Sequence, residues 1–530
     1  MTQSLLEKLR LEYQPRLPKV LENIETLRPI FGKCKECVVP LEALSNLSKK
    51  DPFISFTNQE PKEHRPLRIG VVLSGGQAAG GHNVIAGLYD AQKKLNPDSE
   101  LFGFLNGPKG ITDNKYREIT QELLAAYRNL GGFDLIGSGR TKIETPEQFK
   151  AAEATVRALR LDGLVIIGGD DSNTNAALLA EYFLVQNCPT AVVGVPKTID
   201  GDLTNSDIEI SFGFDSAVKT YSEIIGNIAR DALSAKKYYY FIKLMGRSAS
   251  HIALECAMQT QPNMTLIGEE IALKKDTLTQ IVEGISDMIC TRSKNGKDYG
   301  VILIPEGIIE FIPEINQLIQ ELNDLLAQGV KDVKNKLTQA SEHCFSMLSP
   351  EFQSQLLFDR DPHGNVQVSK IETERLLIDL VKKALANRND YKGKFSAQPI
   401  FCGYEGRSCL PSNFDAQYCY ALGHVAALLV DLQATGFISC VQNLAAPVEE
   451  WQIGGRNLVT MISMEKRQGK IKPVIQKSLV NLKSKQFFAF QKDRQKWAEQ
   501  DLYRYPGPIQ FFGPPELTEA ITFTIQLASS

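Results

Sequence analysis

The sequence lacks an excess of charge of either sign, an apolar run of membrane length and a disulfide pattern. Its 530 residues carry 59 Lys and Arg against 62 Asp and Glu, so there is no strong field for nucleic acid or an anionic membrane. No apolar run approaches the roughly 20 residues that cross a bilayer. Ten scattered cysteines indicate free thiols in a reducing compartment, which makes the cytoplasm the expected location.

Only one Cys-x-x-Cys pair occurs, formed by Cys34 and Cys37. Structural zinc needs four ligands, and no second pair lies nearby, so we interpret the two cysteines as surface thiols. Internal repeats and low-complexity tracts are also missing. Residues 1–10 have the pattern of an amphipathic helix with acidic residues, which is not the pattern of a signal peptide. The length predicts three or four domains with ample core volume.

Three apolar segments each end in a loop that is rich in glycine or charge. They lie within residues 67–83, 161–172 and 191–202, and the first loop has four glycines in seven residues. A strand, a glycine turn and a helix form an anion site, because backbone N–H groups and the helix dipole face the ligand. Open α/β sheets bind their ligands at the ends of such strands. The pattern therefore predicts a phosphate site.

The second loop, residues 168–172, reads Gly-Gly-Asp-Asp-Ser and places two carboxylates in this predicted phosphate site. Asp170 and Asp171 cannot bind phosphate directly, so they need Mg²⁺ between them and the phosphate, or one of them must exclude something. The plainer alternative is an N-cap pair, Asp171 and Ser172, that opens a helix. The third loop ends its strand in Lys197, Asp200 and Asp202.

Two later segments have different patterns. Between residues 311 and 389, apolar side chains recur three and four positions apart, which predicts helices. Residues 461–530 interleave basic residues, Lys477 among them, with aromatic ones, and superficially resemble a nucleic-acid patch. Because the chain is acidic overall and has no recognised nucleic-acid module, we interpret this segment as helical or as facing an oligomer partner.

Together these motifs resemble the phosphofructokinase family. The Asp-Asp pair and the Pro-Lys-Thr-Ile-Asp-Gly-Asp sequence of residues 196–202 are similar to the long type of its pyrophosphate-dependent branch. The resemblance covers most of residues 67–310 and resumes near residues 400–460. It implies a reversible, Mg²⁺-dependent step of glycolysis and gluconeogenesis, in which pyrophosphate phosphorylates the 1-hydroxyl of fructose 6-phosphate.

The implied architecture is α/β, with two Rossmann-like doubly wound domains that face a catalytic cleft. A helical N-terminal extension and a mainly helical insertion complete it. The expected bounds are 1–65 for the helical N-terminal extension, 66–235 for the pyrophosphate and Mg²⁺ domain, 236–310 with 390–460 for the fructose 6-phosphate domain, 311–389 for the insertion and 461–530 for the C-terminal segment.

On the donor side, the resemblance implies that Asp200 is the base that takes the proton of the 1-hydroxyl. Lys197 and Asp171 stand where ATP-using relatives carry glycine, and both are expected to act in catalysis. A carboxylate at 171 would crowd and repel the α-phosphate and ribose of ATP, whereas Lys197 would neutralise the leaving phosphate. Asp170 is the expected metal ligand. The expected pyrophosphate contacts are Gly75, Gly76, Gly80, Arg140 and Lys197.

The sugar phosphate needs its own contacts, which the resemblance places farther along the chain. Glu306 would accept hydrogen bonds from sugar hydroxyls, and Arg407 would hold the 6-phosphate through its fork of N–H donors. The full expected set is Thr198, Asp200, Asp202, Met245, Gly246, Arg247, Glu306, Tyr404 and Arg407. Plainer alternatives are a turn cap for Asp200, a solvated surface position for Arg140 and core packing for Met245.

Three alternative functions remain open from the sequence. An ATP-dependent phosphofructokinase is disfavoured by Asp171 and Lys197. A non-catalytic regulatory subunit or sugar-phosphate sensor would be expected to lose Asp200 or the metal aspartates. A dinucleotide oxidoreductase is suggested only by the first glycine loop, whose spacing does not fit. The expected partners are small-molecule substrates, without nucleic acid or membrane, and a second copy of the chain in a homodimer or higher homo-oligomer, with residues near Tyr238 next to the neighbouring site.

Overall fold

The computed structural model describes residues 5–32, 42–330, 332–360, 366–467, 470–507, 515–519 and 521–529. The cysteine pair Cys34 and Cys37 lies outside these ranges. Within them, no helix combines the length and the apolar character that a membrane crossing requires.

Within the described ranges, fifteen strands form three sheets. The strands are β1 Leu27–Gly32, β2 Phe53–Asn58, β3 Arg68–Leu73, β4 Glu100–Phe104, β5 Tyr116–Glu118, β6 Gly163–Gly168, β7 Ala191–Pro196, β8 Tyr239–Leu244, β9 Met264–Thr265, β10 Gly300–Pro305, β11 Ala397–Cys402, β12 Phe437–Gln442, β13 Gln452–Asn457, β14 Ile462–Arg467 and β15 Lys470–Ile475. The large sheet has nine of them, the small sheet has four, and β14 and β15 form a hairpin.

Nineteen α-helices lie in the described part of the chain. They are α1 Leu5–Glu12, α2 Gly81–Leu95, α3 Pro108–Thr112, α4 Gln121–Ala125, α5 Pro146–Ala158, α6 Asp170–Val185, α7 Phe214–Ala235, α8 His251–Thr260, α9 Gly268–Lys274, α10 Leu278–Lys294, α11 Ile308–Phe311, α12 Pro313–Ala327, α13 Gln339–Met347, α14 Pro350–Phe358, α15 Thr373–Ala386, α16 Asn413–Asp431, α17 Lys485–Glu499, α18 Pro515–Thr518 and α19 Phe523–Ser529.

The large sheet has the order β1-β2-β13-β12-β7-β6-β3-β4-β5. Strands β12, β7, β6, β3 and β4 run parallel, and antiparallel strands flank them on both sides. Alternate residues of β6 enter different cores, with Val165 and Ile167 on one face and Leu164 and Ile166 on the other. Apolar cover on both faces is what a parallel sheet requires, and it explains the nearly continuous apolar runs of the sequence.

The small sheet has the order β11-β8-β10-β9, and all of its strands are parallel. Leu244 pairs with Pro305 of β10 and with Cys402 of β11, so three strands end at one level. In the large sheet, Ile167 likewise pairs with Leu73 and Val195. Each sheet therefore collects its loops along one edge, and the two sheets confirm the predicted α/β architecture.

The described residues of segment 311–389 are mainly helical, and α12 to α15 pack in one core with α9 to α11 and with β8 and β10 of the small sheet. The expectation of a helical extension over residues 1–65 was wrong. Among the described residues of this range, α1 is the one α-helix, while β1 and β2 pair with each other and β2 pairs with β13. The reason is that Ile54 is buried in the main core while its neighbours are half-buried, which is the alternation of a strand.

The structure also corrects the assignment of residues 390–460 to the second domain. Strand β11 joins the small sheet, but α16, β12 and β13 return to the large sheet and its core. Helix α16 is buried nearly all round, so it needs cover on every side. Helix α2 supplies part of this cover at a close crossing, where a Cβ on Gly423 would lie 2.3 Å from the Val84 carbonyl oxygen.

The close crossing of α2 and α16 leads to a stability prediction. Gly423→Ala is expected to lower the thermal unfolding midpoint, because overpacking a tight core costs about 1–3 kcal/mol. Gly284→Ala is the matched control. It lies exposed in α10 with no atom within 4 Å of an added Cβ, and should stabilise the protein by about 0.4–1 kcal/mol. Equal midpoints for the two variants would contradict the close packing.

Candidate active site

The loop after β3 is held against two neighbouring segments. The Gly75 N–H donates to the Gly139 carbonyl oxygen at 2.8 Å, and Ser172 Oγ donates to Ser74 Oγ at 2.8 Å. Gly75 has a φ of +87°, which glycine adopts without steric cost, and a Cβ there would lie 3.3 Å from Lys197 Nζ. The loop backbone at Gly75 therefore lies close to the ammonium group of Lys197.

Gly80 belongs to the same glycine loop but has a different environment. It precedes α2 with a φ of +107°, and a Cβ there would lie 2.3 Å from Cys419 Sγ of α16. Its lack of a side chain serves the packing of α16 against the loop. Gly80 is buried, unlike the half-exposed Gly75 and Gly76.

Lys197 brings a buried positive charge into the glycine loop. Its Nζ donates to the Gly76 carbonyl oxygen at 2.7 Å, and the residue is 5% exposed. Burial lowers the pKa of Lys197, Arg407 lowers it further, and the carboxylates of Asp200 and Asp170 oppose both effects. The resulting pKa is about 8. Lys197 is thus a cation that loses its proton close to neutral pH.

The Arg407 side chain lies against the same glycine loop, although Arg407 belongs to the segment after β11. A Cβ on Gly76 would collide with the Arg407 guanidinium, so any larger residue at position 76 would displace this side chain. The pKa of Arg407 is lowered by burial and by Arg140, while Asp200 opposes the shift. The guanidinium carbon of Arg407 lies 5.5 Å from the centroid of the Tyr404 ring, and Tyr404 is 71% exposed. The predicted donor-side and sugar-side arginines therefore share one electrostatic environment.

The two adjacent aspartates of α6 face different surroundings. Asp170 Oδ2 lies 3.7 Å from Lys477 Nζ, and its side chain is 21% exposed. The Asp171 side chain is 52% exposed, and its Oδ1 lies 3.2 Å from Lys142 Nζ. The N-cap of α6 is Gly169, and no side chain caps the helix end. The alternative of an Asp171–Ser172 N-cap pair was therefore wrong.

The loop after β7 carries the candidate base. The Asp200 N–H donates to Thr198 Oγ1 at 3.1 Å, so the capping side chain in this turn is that of Thr198. Asp202 is 3% exposed, and burial raises its pKa to about 6, with a further contribution from Asp200. The turn therefore holds Asp200 half-exposed and keeps Asp202 inside.

The small sheet contributes a buried carboxyl group. Glu306 Oε2 accepts the Gly246 N–H at 3.2 Å, and the residue is 3% exposed. Burial raises the pKa of Glu306 to about 7, and Asp200 adds to this shift, which places the two carboxyl groups in one site. Arg247 is exposed next to them, and Met245 is half-buried against the main core, as its packing alternative predicted.

Sequence reasoning missed Lys477, which lies after the β14–β15 hairpin. Its Nζ donates to Ser248 Oγ at 2.7 Å, and lies 3.4 Å from Asp202 Oδ2 and 3.7 Å from Asp170 Oδ2. Burial acts to lower the pKa of Lys477, but Asp170, Asp202 and Asp200 outweigh burial and raise it. The signal in the sequence was only one lysine among many in a basic segment, and nothing in its spacing distinguished it.

Two of these carboxylates could take part in holding a divalent cation. Asp170 and Asp202 both lie near Lys477 Nζ, and carboxylate oxygens are the ligands that Mg²⁺ prefers. No three His, Cys, Asp or Glu side chains of the described residues form a ready cluster. That arrangement fits Mg²⁺, which usually binds through one or two carboxylates together with substrate phosphates.

The family model of phosphofructokinase matches residues 68–430. The chain belongs to the phosphofructokinase family. It is 48% identical over 546 residues to a pyrophosphate–fructose 6-phosphate 1-phosphotransferase of Porphyromonas gingivalis, with 99% of each chain covered. It is 56% identical over 524 residues to the beta subunit of the enzyme of that name from Solanum tuberosum, covering 96% of this chain and 92% of the relative.

Solved structures of this family share the fold. A pyrophosphate-dependent phosphofructokinase from Marinobacter aquaeolei matches with a TM-score of 0.54 and 16% identity, over 82% of this chain and 91% of that one. A second pyrophosphate-dependent phosphofructokinase, from Nitrosospira multiformis, matches with a TM-score of 0.53 over 74% of this chain and 84% of that one. At this identity the likeness concerns the fold alone.

The lowered pKa of Lys197 leads to a prediction about anion binding. Sulfate, which keeps its charge across this range, is expected to bind more weakly as the pH rises through about 8, because Lys197 loses its proton there. Lys197→Arg keeps its charge and should remove this pH dependence. Isothermal titration calorimetry on either side of pH 8 measures both proteins, and equal sulfate affinity of the unsubstituted protein at both pH values would contradict the assignment.

Proposed function

We propose that the protein is a pyrophosphate-dependent 6-phosphofructokinase. It transfers a phosphoryl group from pyrophosphate to the 1-hydroxyl of fructose 6-phosphate, giving fructose 1,6-bisphosphate and phosphate. The observation that carries this proposal is the buried Lys197, which lies against Gly76 of the glycine loop and is electrostatically coupled to Asp200. The names and the full-length similarity of the curated relatives support the same reaction.

Phosphoryl transfer leaves the protein little covalent chemistry, so alignment and neutralisation of charge are its main tasks. Asp200 orients the 1-hydroxyl and takes its proton as the oxygen attacks phosphorus. Lys197 neutralises the phosphate that leaves, and Arg140, exposed at the rim, contacts the same donor. Asp170 would hold Mg²⁺, which would offset the negative charge of the donor phosphates. Because pyrophosphate is a low-energy anhydride, the reaction runs in both directions.

The choice of donor depends on two side chains in this proposal. Asp171 lies exposed at the start of α6 beside the phosphate loop, so a nucleotide that extends beyond its phosphates meets this carboxylate. Lys197 supplies the charge that the short donor needs. Asp171 therefore acts by exclusion, and Asp170 remains the metal ligand.

The sugar phosphate binds between the two sheets in this proposal. Glu306 accepts hydrogen bonds from sugar hydroxyls, for which its ionised form offers acceptors at both oxygens. Arg247 and Arg407 contact the 6-phosphate, and Met245 and Gly246 shape the wall. The large sheet and its loops form the donor half of a cleft, the small sheet forms the sugar half, and the protein is a cytoplasmic homodimer or higher homo-oligomer.

The test of this function is formation of fructose 1,6-bisphosphate by the purified protein with Mg²⁺ and fructose 6-phosphate. Activity is expected with pyrophosphate and not with ATP. Asp200→Asn is the matched inactive control, because loss of a general base costs about 10²–10⁴-fold in rate. Activity with ATP alone would overturn the donor assignment, and inactivity with both donors would favour a regulatory subunit or sugar-phosphate sensor.

The donor assignment predicts the behaviour of a double variant. Asp171→Gly combined with Lys197→Gly is expected to lower kcat/KM with pyrophosphate by about 10²–10³-fold, because a charge that stabilises the transition state is lost. Some use of ATP should appear, since the carboxylate no longer repels it. Lys142→Met, which keeps both residues, should retain the preference for pyrophosphate. Unchanged steady-state kinetics of the double variant with both donors would contradict this account.

A further inference from the structure

Residues 475–480, here called the bridging segment, connect the β14–β15 hairpin to the turn before α17. On the large-sheet side, the Ile475 N–H donates to Thr174 Oγ1 of α6 at 3.0 Å. The Ser478 N–H donates to the Asp202 carbonyl oxygen at 2.7 Å. These two bonds fix the segment across the carboxyl ends of β6 and β7, where the donor loops lie.

The same segment is also bonded to the small-sheet side. The Val480 N–H donates to Glu269 Oε1 of α9 at 3.0 Å. His251 Nε2 lies 3.0 Å from the Ser478 carbonyl oxygen, so the ring donates through Nε2, because a carbonyl oxygen only accepts. The bridging segment is therefore positioned by both halves of the candidate active site, and so is the lysine in its middle.

The contacts of Lys477 differ from those of a lysine that only balances buried carboxylates. Its one short contact, 2.7 Å, is to the neutral hydroxyl of Ser248. The carboxylate oxygens of Asp202 and Asp170 lie at 3.4 and 3.7 Å, beyond the 2.7–2.9 Å of a charge-assisted hydrogen bond. About a third of the side chain, 32%, remains exposed.

We propose that Lys477 is a substrate-contacting residue that binds the phosphoryl group in transfer. Pyrophosphate brings several negative charges to a place where Asp170, Asp200 and Asp202 already repel it, and Lys197 lies on the loop side of that group. Lys477 approaches from the opposite, small-sheet side through Ser248. A cation on each side of the phosphorus stabilises the charge that spreads over its oxygens during transfer.

This proposal rests on the proposed function, and its test compares variants with the unsubstituted enzyme. Lys477→Met keeps the length of the side chain and removes its charge. It is expected to lower kcat/KM with pyrophosphate by about 10²-fold while leaving the Kd of fructose 6-phosphate, measured by calorimetry without donor, unchanged. Lys477→Arg keeps a positive charge and should retain more activity. Lys483→Met changes an exposed lysine just beyond the bridging segment. It is the control, and its kinetics are expected to stay unchanged.

Unchanged kcat/KM in Lys477→Met would overturn the proposal. So would an equal loss of affinity for fructose 6-phosphate together with a lower unfolding midpoint, which is the result expected of a purely structural tether. An inactive unsubstituted enzyme would instead overturn the proposed function itself, so the two failures are distinguishable.

A second measurement uses the unsubstituted protein and does not depend on how the variants fold. Acetic anhydride acetylates accessible lysines, and peptide mass spectrometry quantifies each position. Pyrophosphate with Mg²⁺ is expected to protect Lys477 from acetylation while Lys483 reacts as before. Equal acetylation of Lys477 with and without pyrophosphate would show that the donor does not cover this side chain and would overturn the proposal.

Discussion

The parallel register of the strands is the constraint on which the rest of the structure depends. In the large sheet, Leu73, Ile167 and Val195 are paired partners, so the loops that follow them must emerge side by side. The loops after Leu73 and Ile167, which are 94 positions apart in the sequence, thus become neighbours without any direct attraction between their charges. The apolar burial of the strands therefore supplies the free energy that holds like-charged side chains together.

Burial then changes the chemistry of the groups that it assembles. Removal of water lowers the pKa of Lys197 and raises the pKa values of Asp202 and Glu306, because the neutral form of each is favoured in a dry environment. Each shift moves a group toward neutral pH, where modest changes in a neighbouring charge alter its protonation. The protonation of these three groups is therefore sensitive to nearby charge even before a substrate binds.

Much of the site could be predicted because its residues lie in local motifs. Lys197, Asp200 and Asp202 follow one strand within six residues, and the structure keeps them together. Lys477 could not be predicted, since its position depends on hydrogen bonds to Asp202, His251 and Glu269, which are distant along the chain. The same limit applies to β2, whose pairing with the distant β13 has no local signal.

By itself, the sequence determined the kind of fold, the apolar central strands and the loops that carry charge. These features follow from the periodicity of apolar side chains and from short-range glycine and proline geometry, which are properties of neighbouring residues. The tertiary structure alone decided that Asp171 pairs with Lys142 while Asp170 lies beside Lys477, and that Arg407 lies against Gly76. Such contacts join distant parts of the chain, and their geometry exists only once the cores have packed.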